Sequence, residues 1–141
     1  MPGETTSIEF TVTIDFATAS ILNSGNGTLN DILILRLEKG RDYYISLTGN
    51  YARSCFGMTL DELVMYNVPI RSVPLDAEKR AESGIAANAS LCIPKELWRI
   101  LDSLNERGLN YPDLFSVPGL EKECREIREC LDTGNLFLSQ S

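Results

Sequence analysis

Residues 110–119 read Asn110-Tyr111-Pro112-Asp113-Leu114-Phe115-Ser116-Val117-Pro118-Gly119, a connector between two helical patterns. Proline and glycine punctuate helices, so Pro112 is expected to begin a turn and Pro118-Gly119 to separate the connector from the next helix. Leu114 and Phe115 are expected to bury it. Its central residue, Ser116, is small, polar and uncharged. The interpretation of the C-terminal half depends on this position.

The connector resembles the arginine-finger loop of Rho GTPase-activating domains, whose pattern is an apolar residue, Phe, Arg, Val, any residue and Gly. Leu114 to Gly119 occupy those places, so the finger position holds Ser116. An arginine finger accelerates GTP hydrolysis by about 10³ to 10⁵ because its positive charge stabilises the transferring phosphoryl group. A serine hydroxyl is neutral and short. The resemblance therefore implies a domain that binds without catalysing.

Composition excludes several classes of function. The net charge of −7 disfavours nucleic acid and anionic membranes as partners, since both are bound largely through Lys and Arg. The chain has no histidine, the usual general base and the commonest metal ligand, and its four cysteines form no CxxC pair. We therefore expect no metal and no cofactor. Without a signal-peptide pattern or an apolar run long enough to span a membrane, a reducing cytoplasmic setting with no membrane insertion is expected.

The first half of the chain predicts β-structure. Residues 8–16 alternate between apolar and polar, as in a half-buried strand, and residues 31–38 and 43–48 predict two more strands joined by a hairpin connection over 39–42. Strands at this spacing favour a β-sandwich, which needs about seven strands. The sequence therefore predicts an immunoglobulin-like sandwich of which only the C-terminal part is present.

Helical signals follow. Thr59 and Glu62 have the spacing of a capping box, so a helix is predicted to begin there and to end before Pro69. Residues 72–91 predict a polar linker with a short helix over 77–82. A helix is predicted from Pro94 to Gly108, and another over residues 120–131. Their predicted inward faces consist of Leu97, Trp98, Leu101 and Leu104 in the first, and Leu120, Cys124, Ile127 and Leu131 in the second.

Several segments, taken together and in order, resemble one family, the inositol polyphosphate 5-phosphatases comprising the Lowe-syndrome phosphatase and the type II enzyme. Ile21-Leu22-Asn23-Ser24-Gly25, Asp31-Ile32-Leu33-Ile34-Leu35, Gly49-Asn50-Tyr51 and Ser54-Cys55-Phe56-Gly57 are similar to the last strands of its ASH domain. Ile93-Pro94-Lys95-Glu96-Leu97-Trp98, Asp113-Leu114-Phe115, Pro118-Gly119 and Cys130-Leu131-Asp132-Thr133 are similar to the opening of its catalytically silent Rho-GAP-like domain.

The resemblance implies an organisation of the chain as mixed β then α. Residues 1–71 would be the C-terminal portion of an ASH β-sandwich, 72–91 a linker, 92–134 the first helices of an all-α Rho-GAP-like domain and 135–141 a tail. Both domains are expected to be incomplete. No part of the phosphatase domain is expected in the chain, and so no lipid phosphatase activity.

The resemblance also implies partners and a binding surface. Members of the family act at endosomal and Golgi membranes and bind Rab GTPases through the final ASH strand and an aromatic residue after it. Rho-family GTPases and endocytic adaptor peptides are further partners in this interpretation. By position, the Rab contact carries over to the strand Tyr43 to Thr48 and to Phe56. Since Tyr43 and Tyr44 lie on alternate faces, Tyr44, beside Ser46 and Thr48, is the expected surface residue.

Alternatives stay open from the residues alone. Phe56 is either an exposed anchor inserted into a partner or a plug that closes the bottom of the sandwich. Trp98 is expected in the core, and Arg125 and Arg128 on a solvated helix face. For the whole chain, the alternatives to an interaction fragment are a GTPase activator that works without a finger and a chain too incomplete to fold by itself.

Overall fold

In a computed structural model, residues 3, 5, 7–85 and 91–137 are described. Residues 1, 2, 4 and 6 of the predicted ASH portion, residues 86–90 of the predicted linker and residues 138–141 of the predicted tail lie outside this part of the chain. The element order is helix, two strands and four further helices. The predicted order of β then α is found, except that a helix comes first.

The strand predicted over residues 8–16 is wrong. Residues 7–15 form no strand, and Phe16–Ser24 is a helix, α1. Its start is set by Asp15, whose carboxylate accepts a hydrogen bond from the Thr18 backbone N–H at 2.8 Å. Its end is set by Gly25 in the left-handed conformation, with φ of 82°. An alternating segment forms a strand only where a neighbouring strand pairs with it, and neither described strand pairs with residues 8–14.

The predicted hairpin is confirmed. Strands β1 (Leu29–Leu35) and β2 (Tyr43–Gly49) pair antiparallel, with Leu33 opposite Ile45. Lys39 adopts a positive φ of 61° in the connection. Within the described residues the sheet has these two strands alone, so the predicted third strand and the second layer of a sandwich are not found.

The capping box is also confirmed. The Thr59 hydroxyl accepts from the Glu62 N–H at 3.2 Å, and the Glu62 carboxylate accepts from the Thr59 N–H at 2.7 Å. The helix it begins, α2 (Leu60–Leu63), has a single turn and is followed by a 3₁₀ turn at Ile70–Ser72. The short helix predicted within the linker is found as α3 (Ala77–Glu82).

The two C-terminal helices occur where predicted, but most of the side chains predicted to face inward are exposed. Helix α4 (Lys95–Ser103) continues as a π-helical turn, Leu104–Gly108, and α5 covers Glu121–Thr133. Trp98, expected in the core, is 56% exposed, and Leu97, Leu101 and Leu120 are exposed as well. Leu131 is the one buried member of the α5 set. An amphipathic pattern identifies the apolar face of a helix but not whether another element covers it.

A small core lies between these elements. Met58, Leu63 and Ile70 form its centre, with Cys55 and Tyr66 packed against them. The end of α5 reaches the 3₁₀ turn beside it. None of the helices described here has the length and apolarity needed to cross a membrane. The core thus consists of residues from the middle of the chain, and the hairpin lies outside it.

Candidate functional site

The residues predicted to contact a partner lie on the hairpin surface. Tyr44, Ser46 and Thr48 are all exposed, and the Tyr44 side chain is 70% exposed. In the register of the sheet, Tyr44 is opposite Ile34 and Ser46 is opposite Ile32. Opposite residues share one face, so Ile32, which is 60% exposed, extends the same surface. This face of the hairpin therefore combines an aromatic ring, two isoleucines and two hydroxyl groups.

The hydrogen bonds of the hairpin also define its outer edge. The Asp31 carboxylate accepts a hydrogen bond from the Ile32 N–H at 2.7 Å. Because this amide is bonded to a side chain of its own strand, we infer that it points away from β2. In an antiparallel ladder, opposite residues exchange either both backbone hydrogen bonds or neither. Ser46, opposite Ile32, therefore points its backbone N–H and C=O away from β1, and the same alternation holds for Tyr44 and Thr48. The residues predicted to bind a partner present an unpaired strand edge.

Phe56 lies in a different place, on the loop over residues 53–57. Its ring is half-buried and meets the Phe16 ring edge to face, with the centroids 6.0 Å apart. The Arg128 guanidinium lies 4.8 Å from the centroid of the Phe56 ring. Arg128 is thus in contact with an aromatic ring, in addition to lying on an exposed helix. Whether Phe56 also meets a partner stays a prediction.

Two buried polar side chains hold the Phe56 loop, and sequence reasoning missed both. Asn23, at the end of α1, donates to the Phe56 carbonyl at 2.8 Å and accepts from the Ser54 N–H at 3.2 Å. Asp132, at the end of α5 and 1% exposed, accepts from the Cys55 N–H at 2.7 Å. Because both belong to helix ends distant in sequence, no local pattern distinguishes them from exposed polar residues.

Asp132 also carries an ion pair. Its second carboxylate oxygen accepts from Arg71 at 3.2 Å, and Arg71 donates to the exposed Glu129 at 2.6 Å. The loop, the 3₁₀ turn and α5 therefore meet at one carboxylate. Buried charges of this kind are stable only when they are paired and hydrogen-bonded. We call Asn23, Arg71 and Asp132, with the loop groups they bind, the polar joint.

The surroundings of the polar joint make one candidate nucleophile, the Cys55 thiol, unreactive. Burial, with the Asp132 carboxylate beside it, raises the pKa of the Cys55 thiol to about 12. A thiol is nucleophilic only as its thiolate, so Cys55 is inert at neutral pH. Burial likewise raises the pKa of Tyr51. The residues of the joint have the properties of a structural site.

The connector over residues 110–119 is exposed, contrary to the prediction that Leu114 and Phe115 bury it. The Phe115 side chain is 87% exposed. The Ser116 hydroxyl donates to the Asp113 carbonyl at 2.7 Å, and Asp113 adopts a positive φ of 56°. The hydroxyl thus stabilises the turn itself. Apolar residues in a proline-bounded connector are buried only if a neighbouring element covers them.

Two comparisons with known proteins agree with the sequence resemblance. Residues 1–51, which contain α1 and the hairpin, match the family profile described as "Inositol polyphosphate 5-phosphatase OCRL-like, ASH domain". The chain is also 39% identical over 142 aligned residues to the type II inositol 1,4,5-trisphosphate 5-phosphatase of Mus musculus. That alignment includes 95% of this chain and 14% of the mouse protein.

The chain is therefore similar to the OCRL-like inositol polyphosphate 5-phosphatases. The domain of this family that it matches is the ASH domain, within residues 1–51. The chain spans about one seventh of the length of the mouse relative. The phosphatase activity named for that relative is therefore the activity of a much longer polypeptide. The Rho-GAP-like assignment of residues 92–134 stays a prediction.

Proposed function

We propose that this chain is a non-catalytic interaction module that binds a Rab GTPase, and that the outer edge of β2 is the principal contact. Tyr44, Ser46 and Thr48 supply the edge, and Phe56 supplies a second contact beside the polar joint. The place of action is the cytoplasmic side of endosomal and Golgi membranes, where family members work in membrane traffic. Rho-family GTPases and endocytic adaptor peptides are further candidate partners.

The observation that carries the proposal is the coincidence of two properties at the same three residues. Their backbone groups point away from β1, and their side chains are exposed. An unpaired strand edge can accept a strand of a partner through main-chain hydrogen bonds, while alternate side chains provide specificity. Tyrosine is among the residues that most often dominate an interface, which makes Tyr44 the expected anchor.

The non-catalytic part of the proposal rests on chemistry. The chain has no histidine, and burial raises the pKa of the Cys55 thiol to about 12. Ser116, at the finger position, is neutral and bonded to its own turn. GTPase activation remains the alternative function. It would be supported by accelerated hydrolysis in the presence of the chain, measured on Rho-type GTPases, and we expect no acceleration.

The test compares two neighbouring tyrosines. Tyr44→Ala removes the exposed anchor, whereas Tyr43→Ala removes a ring on the opposite face of the hairpin. The Arg41 guanidinium lies over this Tyr43 ring, 5.0 Å from its centroid. Retention of GTP-loaded Rab GTPases by the immobilised chain is measured for both variants. We expect Tyr44→Ala to weaken binding by about 30-fold, as loss of an interface anchor does, and Tyr43→Ala to leave it nearly unchanged.

Two results would contradict the proposal. One is equal retention by the unmodified chain and both variants. The other is a larger loss with Tyr43→Ala than with Tyr44→Ala. GDP-loaded GTPases serve as the control for dependence on the nucleotide state.

A further inference from the structure

The N-terminal segment Ile8-Glu9-Phe10-Thr11-Val12-Thr13-Ile14 has the pattern of a strand but no strand beside it. Neither of the two strands in the described part of the chain pairs with it, and Val12 is 74% exposed. Ile8, Phe10 and Val12 alternate with polar residues, which is typical of a strand with one apolar face. In the same molecule, the outer edge of β2 has no strand paired with it among the described residues. We call this sequence the N-terminal segment.

The two edges of the hairpin differ in how open they are. On β1, the Asp31 carboxylate occupies the outward Ile32 N–H and places a negative charge on that edge. Charged side chains on an edge strand oppose the addition of another strand. Strand β2 carries no charged residue from Tyr43 to Gly49. Its outer edge is therefore the one that can accept an additional strand.

The N-terminal segment matches this edge on both faces. In an antiparallel arrangement with Thr11 opposite Ser46, all seven residues of the segment lie opposite the seven residues of β2. Phe10 and Val12 then lie opposite Leu47 and Ile45. On the other face, Thr11 lies opposite Ser46, and Thr13 opposite Tyr44. Aromatic or β-branched pairs on one face and hydroxyl pairs on the other are both favourable across strands.

We propose that the N-terminal segment of one copy of this chain pairs with the outer edge of β2 in a second copy, and that the reciprocal exchange closes a two-fold dimer. In each chain the segment is continued by α1, which leads to β1 on the far side of β2. A second copy can supply the strand without this connection. Reciprocal exchange of an identical element produces a closed dimer, because both copies use the same two surfaces.

The dimer needs no GTPase, so the inference stands or fails independently of the proposed function. If both hold, a second copy and a Rab GTPase compete for one strand edge. Dimerisation then determines how much of the edge is free.

A matched pair of proline variants tests the inference. In the stated register the Thr11 backbone N–H points towards β2 of the partner copy, whereas the Val12 N–H points to solvent, since these directions alternate along a strand. Proline lacks an N–H and is tolerated on a strand only where that N–H faces solvent. Thr11→Pro should therefore disrupt the dimer more than Val12→Pro. Neither residue is buried in the single chain, so both variants should keep the helix content of the parent chain.

The measurement is sedimentation velocity of the full chain over a range of micromolar concentrations. We expect a species of twice 15.7 kDa that forms with increasing concentration. Thr11→Pro should raise the dissociation constant of this dimer about 30-fold, because two main-chain donors are lost per dimer. Val12→Pro should raise it less.

Either of two outcomes overturns the inference. A chain that stays monomeric at every concentration shows that the segment pairs within its own copy or not at all. A dimer that Thr11→Pro leaves intact shows that another surface joins the two copies. Circular dichroism spectra of both variants, matched to the parent chain, separate these outcomes from misfolding.

Discussion

The polar joint buries polar side chains, whereas the β1–β2 hairpin exposes apolar and aromatic ones. In the joint, Asn23 and Asp132 are polar yet buried, and each is hydrogen-bonded to the backbone of the Phe56 loop. In the hairpin, Ile32 and Tyr44 are apolar or aromatic yet exposed, and neither strand packs extensively on a helix. The joint positions distant segments, because a buried polar group is costly unless its partners are in place. The hairpin is held mainly by its own ladder and leaves surface free for binding.

The largest expected effect comes from breaking the joint at Asp132. Asp132→Asn leaves the Arg71 guanidinium without its buried counter-charge, and loss of one partner of a buried ion pair costs about 3 kcal/mol. The matched control is Glu129→Gln, which removes the exposed carboxylate bound to the same arginine and should cost less than about 1 kcal/mol. Urea unfolding followed by circular dichroism measures both. Equal losses would show that the buried carboxylate of Asp132 stabilises the fold no more than the exposed carboxylate of Glu129.

A similar effect is expected at Gly57, next to Phe56. Gly57 has a φ of 84°, and an added Cβ would lie 2.6 Å from the Ala19 Cβ and 2.8 Å from the Ser20 backbone nitrogen. Gly57→Ala combines left-handed strain with overpacking and should cost about 2 to 4 kcal/mol. Gly84→Ala is the control, because Gly84 has a φ of 65° with open space around it and should cost about 1 kcal/mol. The free energies of unfolding of the two variants give the comparison. A larger loss at Gly84 would mean that the loop does not pack on α1.

A smaller effect separates the thiol in the joint from an exposed one. The pKa of Cys55 is raised from 9.0 to about 12, so at pH 8 its alkylation by iodoacetamide should be at least about tenfold slower than that of the exposed Cys92. Mass spectrometry of tryptic peptides measures both rates in one sample. Equal rates would show that Cys55 is not buried.

The same shift predicts how the stability of the joint depends on pH. The folded chain favours the protonated thiol, since its pKa there lies above the ordinary value of 9.0. Below about pH 9 this contribution to stability is fully present, and it is lost as the pH rises towards 12. Cys55→Ala should therefore flatten the alkaline decline of the unfolding midpoint. An unchanged decline would assign it to other groups.

The elements that could be predicted from the sequence are those whose signals are local. The hairpin, the Thr59 capping box and α3 each depend on residues close together in the chain, and each was found. Helix α1 has a local signal too, in Asp15 and Gly25, but the alternation that includes Phe16 concealed it. The other errors concern contacts between distant segments. Trp98 and Phe115 are exposed because no described element covers them, and Asp132 is buried because the loop closes over it.

For the candidate site, the sequence predicted which side chains are exposed. It did not predict that the backbone groups of the same residues are free to bind a partner. The resemblance and the alternation along the strand both indicate Tyr44, Ser46 and Thr48. That their backbone groups form the open edge follows from the Asp31 hydrogen bond and from the register, both of which are tertiary information. Phe56 was recognised as a candidate without its contacts to Phe16 and Arg128, which lie far from it in sequence.

The most direct test of a partner-binding edge on β2 is amide hydrogen exchange, residue by residue, in the Thr11→Pro chain with and without a GTP-loaded Rab GTPase. Without the GTPase, the Tyr44, Ser46 and Thr48 amides should exchange rapidly, because they point away from β1, while Ile45 and Leu47 should be protected by the ladder. With the GTPase, the three outward amides should become protected. Binding of the GTPase with no change at these three amides would contradict the account.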